Sequence, residues 1–244
     1  MRVSALAIGL ILASSAQAGP PRKTTHHSAP ATATKADQIP DSGTLNEANL
    51  VAIAKLHARA GGDQFSDDPT LAYVGREFTI TLPRDALSIS YNKETHTLQV
   101  ATHAWDDSVD LEKDESSSSF VGQNAYGAKA QVTDFSGNDY GIWMPGHGYD
   151  RKAITYTTTG DASTARALSE AIRLRLSGRI VKAAGTYAEP DSAVMRRYLS
   201  SDATVDEPTA LHVTGYYLAT ELTSADWIDE RTGNVISSAT ISTP

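Results

Sequence analysis

The sequence contains no cysteine among its 244 residues. This absence excludes disulfide bonds, thiolate nucleophiles, cysteine-ligated zinc, iron–sulfur centres and a lipid attached to an N-terminal cysteine. A folded domain must therefore be stabilised by its packed core alone. Hydrophobic residues make up 40% of the chain and charged residues 20%, which is enough for a globular domain with a core.

Positive charge is scarce. Lys and Arg total 21 against 29 Asp and Glu, which gives a formal net charge of −8. A nucleic-acid-binding protein needs a basic face to neutralise phosphates, so this balance argues against nucleic acid as a partner. It argues equally against an anionic membrane surface. We expect instead an envelope protein, a peptide or a glycan as the partner.

Long apolar runs are missing after the first 18 residues. Arg2 precedes a mostly apolar segment at 3–13, which is shorter than the roughly 20 residues that span a bilayer. An Ala-Gln-Ala sequence at 16–18 is typical of a cleavage site. The pattern predicts a signal peptide over 1–18 that is cleaved after Ala18, a periplasmic or secreted location, and no transmembrane segment in the mature chain.

The next segment changes composition. Residues 19–43 are rich in Pro, Thr and Ala and cannot bury enough apolar surface to fold, so they are expected to form a disordered linker. We expect a single β-rich globular domain over 44–244. Its first element is a helix at 44–60, because Thr44 and Glu47 have capping-box spacing and an apolar stripe follows.

Alternating apolar and polar residues dominate the rest of the chain. They predict a three-strand meander over 78–101, a turn at 136–139 and a short helix at 160–171 that leads into a strand from Ile172. We also expect a helical turn around 194–199. The fold class is therefore α+β and β-dominated: a mainly antiparallel sheet, sandwich or half-barrel, with an N-terminal helix and one short mid-chain helix.

Two charged segments are candidate sites. Carboxylates between 105 and 119 have the oxygen ligands that calcium prefers, although the EF-hand spacing is absent. The alternative is a solvated loop or an edge strand guarded by charge. The basic side chains of Arg173 and Arg175 either bind an anionic ligand or pair with these acids, and we favour pairing. The candidate metal ligands are Asp106, Asp107, Asp110 and Glu112.

The segment at 119–150 is rich in Gly and aromatic residues. His147 lies between two glycines and close to Asp150, so these two residues form a candidate catalytic pair, although no G-x-S-x-G sequence accompanies them. Clustered aromatic rings suit either a ligand surface or the core. The candidates for a ligand or partner surface are Tyr126, Tyr140, Trp143 and Tyr149.

Together these patterns favour a non-enzymatic binding or accessory module of the bacterial cell envelope, without a cofactor. Two alternatives stay open. The first is a hydrolase that uses His147 and Asp150, and the second is a calcium-binding β domain that uses the acidic segment.

Overall fold

A computed structural model describes residues 39–60, 67–102, 107–123, 126–145, 153–204, 206–239 and 241. All of these residues belong to one compact unit. The predicted signal peptide and most of the predicted linker lie outside the described residues.

Strands make up most of the described structure, which confirms a β-dominated α+β fold. The two helices, one N-terminal and one mid-chain, are α1 (Glu47–Ala60) and α2 (Ala162–Ala171). The strands are β1 (Glu77–Thr81), β2 (Leu87–Asn92), β3 (Thr97–Thr102), β4 (Ser108–Gln123), β5 (Lys129–Trp143), β6 (Thr155–Thr159), β7 (Ile172–Ile180), β8 (Val194–Ser201), β9 (Thr209–Asp229) and β10 (Val235–Ala239).

Helix α1 begins later than the sequence predicts. The backbone N–H of Asn49 donates to the side chain of Asn46 at 3.0 Å, and the N–H of Asn46 donates back to the side chain of Asn49 at 3.1 Å. This reciprocal pair forms a capping box whose ends are three positions apart, displaced by two residues from the predicted one. The displacement arises because Leu45 pairs with Phe78 of β1 instead of joining the helix.

Strand β9 is the longest element, at 21 residues, and it organises the large sheet. Its first half pairs with β5 in parallel and with β8 in antiparallel orientation. Its second half pairs in antiparallel orientation with β7 and β10. Strand β4 also pairs with β5, and β1 with β7, so β9 belongs to two four-stranded groups: β4, β5, β9 and β8, and β1, β7, β9 and β10.

The large sheet has seven strands, five of them in the order β1-β7-β9-β5-β4, and a second sheet has the order β2-β3-β6. Both sheets are open.

Two expectations about these sheets need correction. The parallel β5–β9 pair makes the large sheet mixed, so a mainly antiparallel sheet is only partly right. The predicted three-strand meander is only partly right: β2 and β3 form an antiparallel pair, but β1 pairs with β7 and not with β2.

The core lies where α1 and the small sheet pack on the large sheet. Leu50 and Ile53 of α1 are fully buried and join one cluster with Leu174 of β7, Leu218 of β9 and Val100 of β3. This cluster contains most of the buried apolar side chains and therefore supplies most of the hydrophobic stabilisation.

Strand β7 and helix α2 match the sequence prediction. Asp161 caps α2 by accepting from the N–H of Thr164 at 2.7 Å, and β7 buries alternate residues. The predicted helical turn around 194–199 is wrong, because this segment is strand β8. Neither described helix has the length and apolar character that a membrane crossing requires.

Candidate functional site

The ribbon formed by β4, β5 and the start of β9 ends in a concave pocket of about 410 Å³, here called the tip pocket. Its apolar wall includes Phe120 of β4 and Val132 of β5. Its polar groups include Asp134 of β5, Asp202 in the connection after β8, and His212 of β9. The volume falls within the range of small-ligand pockets.

Strand register explains why these residues lie on one face. Phe120 is opposite Val132, and two residues further along β5 Asp134 is opposite Ala210 of β9. Because side chains on a strand alternate between the two faces, Val132 and Asp134 share a face, and so do Ala210 and His212. The sequence alone shows only that the residues of each pair are two positions apart.

The tip pocket has an excess of negative charge. The Oδ1 atom of Asp134 is buried and has no hydrogen-bond partner among the described residues. The Nδ1 atom of His212 lies 3.2 Å from the hydroxyl of Ser200. No Lys or Arg lines the pocket within the described part of the chain. Asp134 is half-buried, but a buried carboxylate oxygen without a hydrogen-bond partner is costly, so this pocket favours a cationic group.

Strand β4 borders the pocket and forms an edge of the large sheet. It pairs with β5 over nearly its whole length of 16 residues, and no described strand pairs with its other edge. The first half of this edge carries acidic residues and Lys113. The second half, Ser116 to Gln123, carries no charge and exposes Phe120 and Val121 at 53% and 64%.

The predicted aromatic surface separates into different environments. Tyr126 is 95% exposed, whereas Tyr140 and Trp143 are only 5% and 7% exposed and belong to core clusters. Tyr140 stacks on Tyr216 at a ring-centroid distance of 6.0 Å. Tyr149 lies outside the described residues. Of the three candidates that the structure describes, only Tyr126 exposes its ring to solvent.

The candidate catalytic pair, His147 and Asp150, also lies outside the described residues, and so does Asp106 of the candidate metal ligands.

The described acids of the segment between 105 and 119 have separate partners. Asp110 accepts a hydrogen bond from the hydroxyl of Tyr217 at 2.9 Å, and Glu112 forms an ion pair with Lys55 of α1. The backbone carbonyl of Asp107 accepts from Met144 at 2.7 Å.

These acids do not converge on a common point. Among the residues that the structure describes, no three carboxylate or imidazole groups are placed to hold a metal ion. Instead the Lys113 ammonium lies between three carboxylates, 3.1 Å from Asp110 and 3.6 Å from both Glu115 and Asp139. Over its described residues the acidic segment is the charged half of an edge strand, and calcium binding stays a prediction.

Asp139 is the buried member of this charged cluster, at 4% exposure. Burial and the nearby negative charge of Asp110 raise its pKa to about 7, although Lys113 acts in the opposite direction. Burial, together with Asp110, also raises the pKa of Tyr217 far above its ordinary value. The Tyr217 hydroxyl is therefore a permanent donor to Asp110 at physiological pH.

A second polar cluster, which no sequence pattern indicates, joins α1 to the turn at 68–73. Asp68 contacts the Nδ1 atom of His57 and accepts from the backbone N–H of Thr70 at 2.8 Å. The Thr70 hydroxyl donates to Asp68 and accepts from the N–H of Ala193 at 3.1 Å. Because Thr70 is fully buried, this cluster is a structural connection between distant segments.

The basic zone on β7 pairs with β9 and not with the acidic segment that the sequence suggests. Arg173 pairs with Glu230 at 2.6 Å, Arg175 with Asp226 at 3.3 Å and Arg179 with Glu221 at 2.7 Å. The antiparallel register of β7 and β9 places Arg175 opposite Asp226 and Arg179 opposite Glu221, and Glu230 directly follows the end of β9. Cross-strand pairing therefore accounts for these three cations.

Comparisons with known proteins add no identity to this geometry. No model of a protein family, no curated protein and no solved structure matches the chain.

Proposed function

We propose that this protein is an exported, non-enzymatic binding module of the cell envelope that recognises an extended polypeptide segment. The segment adds as a strand to the outer edge of β4, between Ser116 and Gln123. One of its basic side chains enters the tip pocket beside that edge. The predicted signal peptide over 1–18 supports the location, and the open edge supports the mode of binding.

The unpaired edge of β4 is the observation that carries this proposal. An edge strand presents a row of free N–H and C=O groups, and soluble proteins usually protect such edges with charge, Pro, bulges or cover. The half from Asp110 to Glu115 has charge and a bulge between Asp110 and Glu112. The half from Ser116 to Gln123 has neither, which is the property of edges that receive an added strand.

The tip pocket supplies the side-chain preference. An added strand places alternate side chains on the face where Phe120 and Asp134 lie. The apolar wall suits the methylene stem of Lys or Arg, and the Asp134 carboxylate suits the charged end. A basic residue in the partner would also give Oδ1 of Asp134 the hydrogen bond that it lacks among the described residues.

The hydrolase alternative receives no support from the described residues. A triad requires a nucleophile within hydrogen-bond reach of the base. The His57–Asp68 pair lacks one, since the Thr70 hydroxyl contacts Asp68 and not His57. Ser200 does contact His212, but neither residue is hydrogen-bonded to a carboxylate in the described structure. The hypothesis for His147 and Asp150 remains to be tested by their substitution.

A displayed library of random heptapeptides tests the proposal directly. We expect selection on the full chain to enrich peptides that alternate polar and apolar residues and contain one Lys or Arg. N-methylation of a selected peptide should abolish binding at alternate residues, whose N–H groups bond to β4, and be tolerated at the residues between them. Peptides that bind equally well with methylation at every position would contradict strand addition.

Two substitutions separate the pocket from the edge. Asp134→Asn is expected to raise the peptide Kd at least fivefold and to remove the preference for Lys or Arg, while Val121→Lys should weaken all peptides because it adds charge to the edge. The matched control is Asp85→Asn, which changes an exposed aspartate in the turn at 84–86 and should leave the Kd unchanged. Equal Kd values for all three variants would refute the assigned surface.

A further inference from the structure

A second concavity separates helix α2 from the outer part of the small sheet, and it is here called the α2 cleft. Its volume is about 490 Å³, and it shares no lining residue with the tip pocket. Its floor is apolar: Leu98 of β3 and Ala165 of α2 are buried, and Ile89 of β2 is half-buried beside them. The floor therefore suits the apolar body of a ligand.

Basic side chains surround this floor. Lys93 and His96 belong to the turn between β2 and β3, and Arg166 is on the first turns of α2. No acidic residue lines the cleft in the described part of the chain. In a protein of net charge −8, a cleft with three basic groups and no carboxylate is complementary to an anion.

The cations of the α2 cleft differ from those on β7. Arg173, Arg175 and Arg179 are each paired with a carboxylate. The side chains of Lys93 and Arg166 form no hydrogen bond or ion pair with any residue that the structure describes. Asp161, which precedes α2, accepts hydrogen bonds from the N–H of Thr164 and the hydroxyl of Ser163. Glu170 lies within α2 but does not line the cleft.

Hydrogen bonding places a hydrogen on the Nδ1 atom of His96. The Tyr91 hydroxyl lies 3.0 Å from the carbonyl oxygen of Gly160, which can only accept, so its single hydrogen is used there. The Nδ1 atom of His96, 3.1 Å from the same hydroxyl, must then donate. His96 also has a positive φ of 52°, a conformation that costs energy for a residue other than Gly. The turn is therefore held in place by Tyr91 and Gly160.

From this geometry we infer that the α2 cleft binds an amphipathic monoanion, a small molecule with an apolar body and a carboxylate head. The body covers Leu98, Ala165 and Ile89. The carboxylate accepts charge-assisted hydrogen bonds from Arg166 and Lys93, and Arg166 is able to bind it in bidentate fashion. This site is independent of the peptide surface on β4, so either assignment can fail without the other.

Octanoate is the probe for this site, with octylamine as the cation of equal chain length and octanol as the neutral equivalent. Isothermal titration of the full chain should show saturable binding of octanoate with a stoichiometry of one. Saturating octanoate should also raise Tm, because a ligand that binds only the folded state stabilises it. Octylamine should show no saturable binding, and octanol should bind at least tenfold more weakly than octanoate.

Variants locate the binding. The double variant Lys93→Gln with Arg166→Gln should raise the octanoate Kd at least tenfold, and Ala162→Trp should abolish binding by filling the cleft. Lys129→Gln removes one exposed cation at the start of β5 and serves as the matched control, with an unchanged Kd. Circular dichroism of each variant should match that of the wild type.

Three results would overturn the inference. Octanol that binds as tightly as octanoate would show a merely apolar cleft. An octanoate Kd that is unchanged in the double variant would place binding elsewhere. The third result is a folded protein that binds no octanoate; a dimer in sedimentation would then indicate that a second copy covers the cleft.

Discussion

Asp139 is a buried carboxylate in the middle of β5, and its chemistry is set by residues on neighbouring strands. Lys113 of β4 is directly opposite it, and Asp110 of the same strand is close enough to share the Lys113 ammonium. One cation among three carboxylates leaves the cluster with excess negative charge. The Oδ1 atom of Asp139 also lacks a hydrogen-bond partner among the described residues. Both facts favour the protonated form of this carboxyl.

The raised pKa of Asp139 predicts that the protein loses stability as pH rises from 5 to 8. In the folded state this carboxyl titrates at about 7, whereas an unfolded aspartate titrates about three units lower. Between these values the folded state holds a proton that the unfolded state has released, so the free energy of unfolding falls with increasing pH. Asp139→Asn removes this titrating group and its pH-dependent effect on stability. We expect it to raise Tm at pH 8 by roughly 3–8 °C and to change Tm little at pH 5.

Thermal unfolding at pH 5, 6.5 and 8 measures this effect. Asp229→Asn is the matched control, because the side chain of Arg231 lowers the pKa of Asp229 and places its titration below this pH range. The control should keep the pH dependence of the wild type. A wild type whose Tm is constant from pH 5 to 8, or an Asp139→Asn variant with the same slope, would show that Asp139 is ionised throughout.

At the scale of elements, the β4–β5 ribbon depends on a glycine in its middle. A Cβ atom on Gly137 would lie 2.2 Å from the carbonyl oxygen of Asp114 and 2.6 Å from the Cα of Glu115. Both are backbone atoms of the paired strand, so they cannot move without separating the two strands. Gly137 therefore permits the close approach on which the extension of the ribbon to the tip pocket depends.

Gly137→Ala is expected to destabilise the protein by about 1–3 kcal/mol, in the range of overpacked sites. The loss should be local: amide hydrogen exchange should accelerate most in β4 and β5 beyond Gly137, and peptide binding at the outer edge of β4 should weaken. Gly160→Ala is the control, because its Cβ would come no closer than 3.7 Å to any atom. Uniform acceleration of exchange over all strands would argue against a local effect.

Gly137 also shows why predictions from the sequence misplaced some elements. Ser136, Gly137 and Asn138 have the composition of a turn and were predicted as one, yet they lie inside β5 because a long antiparallel partner overrides local preference. Strand β8 was mistaken for a helical turn for the same reason. Elements with strong local signals, such as helix α2 and the alternating strand β7, were predicted correctly.

Pairing between distant strands is the part of the fold that the sequence did not show. Alternation predicts that a strand exists but not which strand it joins, so β1 was assigned to β2 and the parallel β5–β9 pair was not foreseen. The candidate site was missed in the same way. Asp134 and His212 are 78 positions apart and lie in one pocket only because β5 and β9 are neighbours.

Strand β9 supports a prediction about the unfolding of the whole molecule, because it belongs to both groups of strands without interruption. Its residues up to Ala219 pair with β5, and from Thr220 onward they pair with β7. Leu218 and Leu222, on either side of this junction, belong to the same core cluster. Loss of either half would expose this shared core, so we expect the two halves to unfold in a single cooperative transition.

Two tryptophans report on the two halves separately. Trp143 ends β5 opposite Ala219, in the first half, and Trp227 lies on β9 opposite Leu174, in the second. In a Trp105→Phe background, Trp143→Phe and Trp227→Phe leave one reporter each. For each variant, the urea midpoint from fluorescence should coincide with the midpoint from far-UV circular dichroism, because one strand holds both halves. A fluorescence midpoint that precedes the dichroism midpoint in one variant would mean that its half unfolds first, and β9 would then connect two separately stable sheets.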